Sequence, residues 1–184
     1  MPENILFVPE CHVDTALAQV LLADRLTFIN HQKSISKVAR VLQAQAESSR
    51  GPRFVVGIVD KDKKFEDLRY LRLSNRPYRM HTGPVCRFRI YQHAELASHF
   101  LVVLDPACDT WIFDAAHASR LDLNGFGLPP LLADFIAFVK DENAENNSQL
   151  RRLLQAISQV QPPAYRELAE FVADVMDQNS KLWQ

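Results

Sequence analysis

Apolar residues along this chain change their spacing in a way that lays out elements one after another. Ile5-Leu6-Phe7-Val8 is a short apolar run closed by Pro9-Glu10 and reads as a strand. Val13, Ala16, Leu17, Val20 and Leu21 then recur at helical spacing, predicting an amphipathic helix over about residues 12–23. Leu26-Thr27-Phe28-Ile29 predicts a second strand, and Asn30 to Ser34 a polar loop. Ile35, Val38, Ala39 and Leu42 predict a second helix that fades in the polar run Glu47-Ser48-Ser49-Arg50-Gly51-Pro52. Phe54-Val55-Val56-Gly57-Ile58-Val59 follows, a Val- and Ile-rich run of the kind buried in the middle of a sheet. It ends in Asp60-Lys61-Asp62.

Beyond Asp62 the pattern loosens. Phe65 to Leu73 reads as one short helix, with loop signals at Asn75-Arg76-Pro77 and Thr82-Gly83-Pro84. Val85 to Tyr91 alternates as a strand would, and His99 to Leu104 is a second buried run, ending in Asp105-Pro106. A helix over roughly Cys108 to Ala118 follows, with Asp109 near its start as the expected cap. From Leu121 strand signals vanish. Helices are expected after Pro129-Pro130, after Asn146-Asn147-Ser148 and from Pro162-Pro163, since proline suits the first helical turn. The β-α-β-α-β opening defines an α/β fold: a mainly parallel open sheet of about residues 4–8, 26–30, 54–60 and 99–105, with helices on both faces. The expected organisation is an α/β domain over 1–120 and an all-helical extension or cap over 121–184.

Composition narrows the class. With 184 residues, 47% hydrophobic, 23% charged and a net charge of −1, the chain can bury a sizeable core and is not disordered by composition. Cys11, Cys86 and Cys108 form no C-x-x-C pair and no disulfide pattern. No apolar run approaches the roughly 20 residues that span a bilayer, and Met-Pro-Glu-Asn is not a secretory leader, so a cytoplasmic protein without a membrane partner is expected.

Charge is unevenly placed. Lys61 to His93 holds nine Lys or Arg against Asp62, Glu66 and Asp67, a balance of +6 that leaves −7 for the remainder. Such a segment suits a phosphate-bearing polymer, and equally suits a solvated loop pairing with acidic neighbours. Lys63, Lys64, Arg69, Arg72, Arg76 and Arg79 are the candidate nucleic-acid contacts.

The acidic counterpart lies at strand ends. Glu10 follows the first strand, and Asp60 and Asp62 follow a later one, two apart and so projecting together from an extended chain. In an open α/β sheet that carboxyl edge is where ligands bind. Asp14 lies one helical turn beyond Glu10, and Asp105 ends a further strand as a possible second-metal ligand. Clustered carboxylates suit Mg²⁺ or Mn²⁺, hard cations that take oxygen ligands. Taken singly, Glu10 also suits a helix N-terminus, and Asp60 and Asp62 also suit a turn. His12 and His81 are candidates for phosphate or proton contact, and Cys11 adjoins the site with no base assigned to it.

Glu10-Cys11-His12-Val13-Asp14 after one strand, with Asp60-Lys61-Asp62 after a later one, resembles the Toprim domain of topoisomerases, bacterial primases and OLD-type nucleases. The resemblance covers about residues 4–105, and Cys11 stands where the family usually has Gly. It implies that Glu10 is the acid–base residue and that Asp60 and Asp62 hold Mg²⁺. It also implies a metal-dependent nuclease or related phosphotransferase acting on nucleic acid. The small size and helical C-terminal part look most like stand-alone Toprim-like proteins of bacterial defence or toxin systems. Two other readings stand beside it: a receiver-like phosphoacceptor domain, and a non-catalytic module that uses the fold to bind partners.

Overall fold

The computed structural model describes residues 5–23, 25–48, 54–61, 68, 72–140 and 143–181. In chain order the elements are β1 (Ile5–Pro9), α1 (His12–Leu21), α2 (Ile35–Glu47), β2 (Phe54–Asp60), β3 (Arg79–His81), β4 (Arg87–Gln92), β5 (His99–Asp105), α3 (Cys108–Ala118), α4 (Leu132–Val139), α5 (Ser148–Val160) and α6 (Pro163–Lys181). Short 3₁₀ turns fall at Leu26–Phe28, Leu123–Phe126 and Ala144–Asn146.

The strands form one open sheet in the order β1-β2-β5-β4-β3. β1 pairs with β2 and β2 with β5 in parallel, while β4 pairs with β5 and β3 with β4 antiparallel. The fold is therefore α/β with a mixed sheet, half parallel by strand pairs, rather than a mainly parallel one. The difference arises at two places. The expected strand over 26–30 is instead a 3₁₀ turn followed by one parallel bridge, Phe7 to Ile29. Asn30 N–H still donates to the Phe7 carbonyl and Gln32 N–H to that of Pro9, so the segment runs beside β1 as a rudimentary edge. Leu26 is exposed, and Phe28 and Ile29 are only partly buried against the core. The basic region then returns as the β3–β4 hairpin, whose tight connection imposes antiparallel pairing.

Alternation along the strands splits the interior in two. Ile5, Phe7, Phe54, Val56, Ile58, Phe88, Ile90, Phe100, Val102 and Leu104 face a large core shared with α1, α3, α4, α5 and α6. Val8, Val55, Val59, Leu101 and Val103 face a smaller one under α2. Helices thus cover both faces. α2 lies close because Gly57 has no side chain: a Cβ there would stand 2.7 Å from Leu101 Cδ1 and 3.0 Å from Val38 Cγ1. Trp111 of α3 is wholly buried, and its indole N–H donates to the Cys86 carbonyl at 2.8 Å.

The helix starts follow their sequence signals closely. Asn147 caps α5 by accepting from the amides of Gln149 and Leu150, and Ser34 caps α2 through Lys37. The expected helix over 65–73 lies mostly outside the described residues.

Candidate functional site

β1 and β2 are adjacent and parallel, so Glu10 and Asp60 leave the same edge of the sheet. Each is used as a hydrogen-bond acceptor there. Glu10 Oε1 accepts from Ile35 N–H, the first residue of α2, at 2.9 Å, and Oε2 accepts from Asp60 N–H at 3.3 Å. Asp60 Oδ1 accepts from Cys108 N–H, the first residue of α3, at 2.7 Å. Helix N-termini carry unpaired amides and a positive partial charge, so both carboxylates are held by the elements they introduce. Asp109 is not the cap of α3: the N-cap position is Ala107, and Asp109 Oδ1 accepts instead from Thr110 N–H at 2.6 Å. Asp60 supplies the missing acceptor from a different strand.

Asp14 is the third member. It is fully buried, and its Oδ2 accepts from Cys11 N–H at 3.0 Å within a reciprocal capping box at the start of α1. Oδ1 has no hydrogen-bond partner among the described residues. Burial, then the charge of Asp60, with a further contribution from Glu10, hold its carboxyl well above the usual carboxylate range; contacts with the Cys108 and Cys11 thiols oppose this. Glu10, Asp14 and Asp60 are therefore one electrostatic group. Cys11 occupies the turn with φ −130° and ψ 176°, extended backbone that any residue adopts, so no glycine is required there. Burial and the charge of Asp14 push its thiol well up, which makes it a poor nucleophile.

The other expected site residues that the structure describes have different partners. Asp105 is bound by cations: Lys61 Nζ lies at 3.0 Å and Arg87 at 3.5 Å. By strand alternation it faces the α2 side with Val103, the side on which Glu10 also accepts from the first residue of α2, whereas Asp60 faces the α1 and α3 side with Ile58; what sets Asp105 apart is its pairing with the two cations. Asp62, Lys63, Lys64 and Arg69 lie outside the described residues. Arg72 pairs with Glu95, and its carbonyl accepts from Ala94 beside the amino end of β5. That end is about 17 Å from the carboxylates, taking five residues of strand at roughly 3.3 Å each. Arg76 is exposed, and Arg79 on the far edge strand pairs with Asp174 of α6. His81 likewise pairs with Glu167 of α6 at 3.1 Å. Among the described residues, the cations that border the carboxylate edge are Lys33, Lys61, Arg87 and Lys140.

Two clefts meet at Cys11 and His12. One, of about 410 Å³, is lined by Glu10, Cys11, His12, His31 and Lys33. The other, of about 190 Å³, is lined on its polar side by Asp60, Cys108, Asp109 and Lys140. His12 Nδ1 lies 2.6 Å from Glu145 Oε2, and its ring stands 4.3 Å from that of His31, tilted by 36°. His31 and Glu145 carried no sequence signal, because they come from a polar loop and from a turn 133 residues beyond His12.

The donor set fits a hard cation in kind: carboxylate oxygens dominate, and the buried Asp14 Oδ1 has no hydrogen-bond partner among the described residues. Among the described residues, no three His, Cys, Asp or Glu side chains stand in a ready metal-ligand arrangement. Among the described residues, no helix is long and apolar enough to cross a membrane. In comparisons with known proteins, no family model, no curated protein and no solved structure matches the chain.

Proposed function

We propose that this chain is a Toprim-like, Mg²⁺- or Mn²⁺-dependent nuclease or related phosphotransferase acting on nucleic-acid phosphodiesters. The observation that carries the reading is that Glu10 and Asp60, at the carboxyl ends of two adjacent parallel strands, converge on the buried Asp14 of α1, whose proton affinity Asp60 and then Glu10 raise. Asp60 and Asp62, with Glu10 and Asp14 beside them, would hold the cation. The metal would neutralise charge on the phosphoryl group and activate the attacking oxygen. The chain's own part is to hold the carboxylates at the mouths of α2 and α3, to border the cleft with Lys33, and to keep Asp14 dry.

A second reading, a non-catalytic Toprim-like binding module, is favoured by one specific observation. Glu10 and Asp60 spend carboxylate oxygens on Ile35, Asp60 and Cys108 amides, a use that needs no metal. Labelled single- and double-stranded DNA and RNA, incubated with Mg²⁺, Mn²⁺ or chelator, separate the two. The nuclease reading expects metal-dependent cleavage that Asp60→Ala abolishes. Absence of cleavage on every substrate, together with no metal-induced rise in Tm, would leave the binding module.

A further inference from the structure

The cations that border the carboxylate edge fall into two pairs. Lys61 and Arg87 are committed to Asp105, at 3.0 and 3.5 Å. Lys33 and Lys140 are exposed, and neither has an ion-pair partner among the described residues. Each belongs to a different cleft. Lys33, in the loop before α2, lines the 410 Å³ cleft with Glu10. Lys140, at the C-cap of α4, lines the 190 Å³ cleft with Asp60 and Asp109. Cys11 and His12 line both clefts, so the two join into one path across the edge, with one lysine in each half.

An exposed lysine is ordinarily solvated charge. These two are set apart by their company. The acids that share their clefts are turned to backbone amides: Glu10 to those of Ile35 and Asp60, Asp60 to that of Cys108, and Asp109 to that of Thr110. Each ammonium therefore keeps its donors for an anion that enters the cleft. The arginines of the basic run are placed otherwise. Arg72 pairs with Glu95 beside the amino end of β5, and Arg79 pairs with Asp174 of α6.

We propose that the phosphodiester chain of the substrate crosses the carboxylate edge along the two joined clefts, one phosphate held by Lys33 beside Glu10 and another by Lys140 beside Asp60. The inference deepens the nuclease reading, on which it rests, by naming the residues that bind the polymer at that site. Glu10, Asp60 and Asp109 repel a polyanion on this path, and an ammonium in each half offsets part of that repulsion where it is felt. Lys33 and Lys140 are binding residues that touch no reacting atom. They hold substrate and transition state alike, so their loss shows in KM and not in kcat.

The test is fluorescence anisotropy of a labelled single-stranded oligodeoxynucleotide with the full chain, in Ca²⁺ and over a series of salt concentrations, with the oligonucleotide verified intact afterwards. Lys33→Gln and Lys140→Gln are each expected to weaken binding and to take about 0.7 off the magnitude of the slope of log K against log salt, the double variant about twice that. Their Tm should stay that of the wild type, since neither side chain has a partner to lose. Arg72→Gln with Arg79→Gln removes the same charge away from the clefts and should leave the slope in place. In the cleavage assay with Mg²⁺ the double lysine variant should raise KM, with kcat within about twofold of the wild type. A wild type that does not bind the oligonucleotide overturns the proposal. So does a double lysine variant with the wild-type slope, or an arginine pair whose loss lowers the slope as much. If the wild type binds and the lysine variants behave as expected but nothing is cleaved, the nuclease reading falls and the path stands. Cleavage with the slope and KM untouched by the lysine changes sinks the path and leaves the nuclease reading.

Discussion

Asp60, the last residue of β2, accepts the backbone N–H of Cys108, the first residue of α3, at 2.7 Å. Glu10 does the same for Ile35 at the start of α2. Strand-end carboxylates thus serve as caps for helices that are distant in sequence, and the same caps bring their charges to bear on Asp14. Fold and site are coupled through these two hydrogen bonds.

Removing Asp60 should therefore have two opposed effects on stability. Asp60→Ala leaves the first amide of α3 without its acceptor, a loss of about 0.5–2 kcal/mol for a helix cap. It also removes the largest charge acting on Asp14. A net destabilisation of about 1 kcal/mol in urea unfolding is expected, with weaker pH dependence than in the wild type. Equal midpoints and superimposable pH curves would show that the contact is idle.

Asp14 fixes the sign of the pH response. Its folded-state proton affinity is raised, so between the unfolded pKa of about 3.9 and the higher folded value the native state keeps a proton that the unfolded chain has lost. Its contribution is fully present below that unfolded value and is lost as pH rises through the folded one. The stability of the wild type relative to Asp14→Asn should fall with rising pH, by at most about 1.4 kcal/mol per pH unit. Chemical denaturation of both proteins between pH 4 and 8, on the order of one point per pH unit, reads this directly; a difference that is flat with pH would mean that Asp14 is ionised in the fold.

Asp105 should behave unlike a metal ligand. Lys61 and Arg87 already balance it, and both are substantially exposed, so Asp105→Ala should cost no more than about 1 kcal/mol. The rise in Tm on adding Mg²⁺ should survive in this variant and vanish in Asp60→Ala. Loss of the Mg²⁺ response in Asp105→Ala would return Asp105 to the ligand set.

Gly57→Ala tests the close approach of α2 to the sheet. The added methyl would meet Leu101, Val38 and Leu42 at 2.7, 3.0 and 3.1 Å, so overpacking of about 1–3 kcal/mol is expected. The larger core on the opposite face should be untouched, leaving the near-ultraviolet signal of the buried Trp111 unchanged in the folded protein. A variant as stable as the wild type would mean that α2 can withdraw without loss.

The local pattern determined most of the helices and the two central strands, because burial periodicity is written in adjacent residues. α2, α3 and α5 begin where Ile35, Cys108 and Ser148 mark them, and β2 and β5 coincide with the Val-rich runs. The joint placement of Glu10, Asp14 and Asp60 was also legible, since strand ends and one helical turn fix it. Tertiary structure decided the remainder. Whether 26–30 becomes a strand depended on its neighbours: beside β1 it gained one bridge, with Phe28 and Ile29 only partly buried. Asp105 and Asp60 end neighbouring parallel strands, yet register turns one toward α2 and the other toward α3, which no spacing along the chain encodes. The basic run was visible as charge, but Arg79 and His81 were claimed by Asp174 and Glu167 of α6, acids about ninety residues away. Hydrogen bonds between distant segments follow from packing, and packing is the sum of many contacts that a linear pattern does not specify.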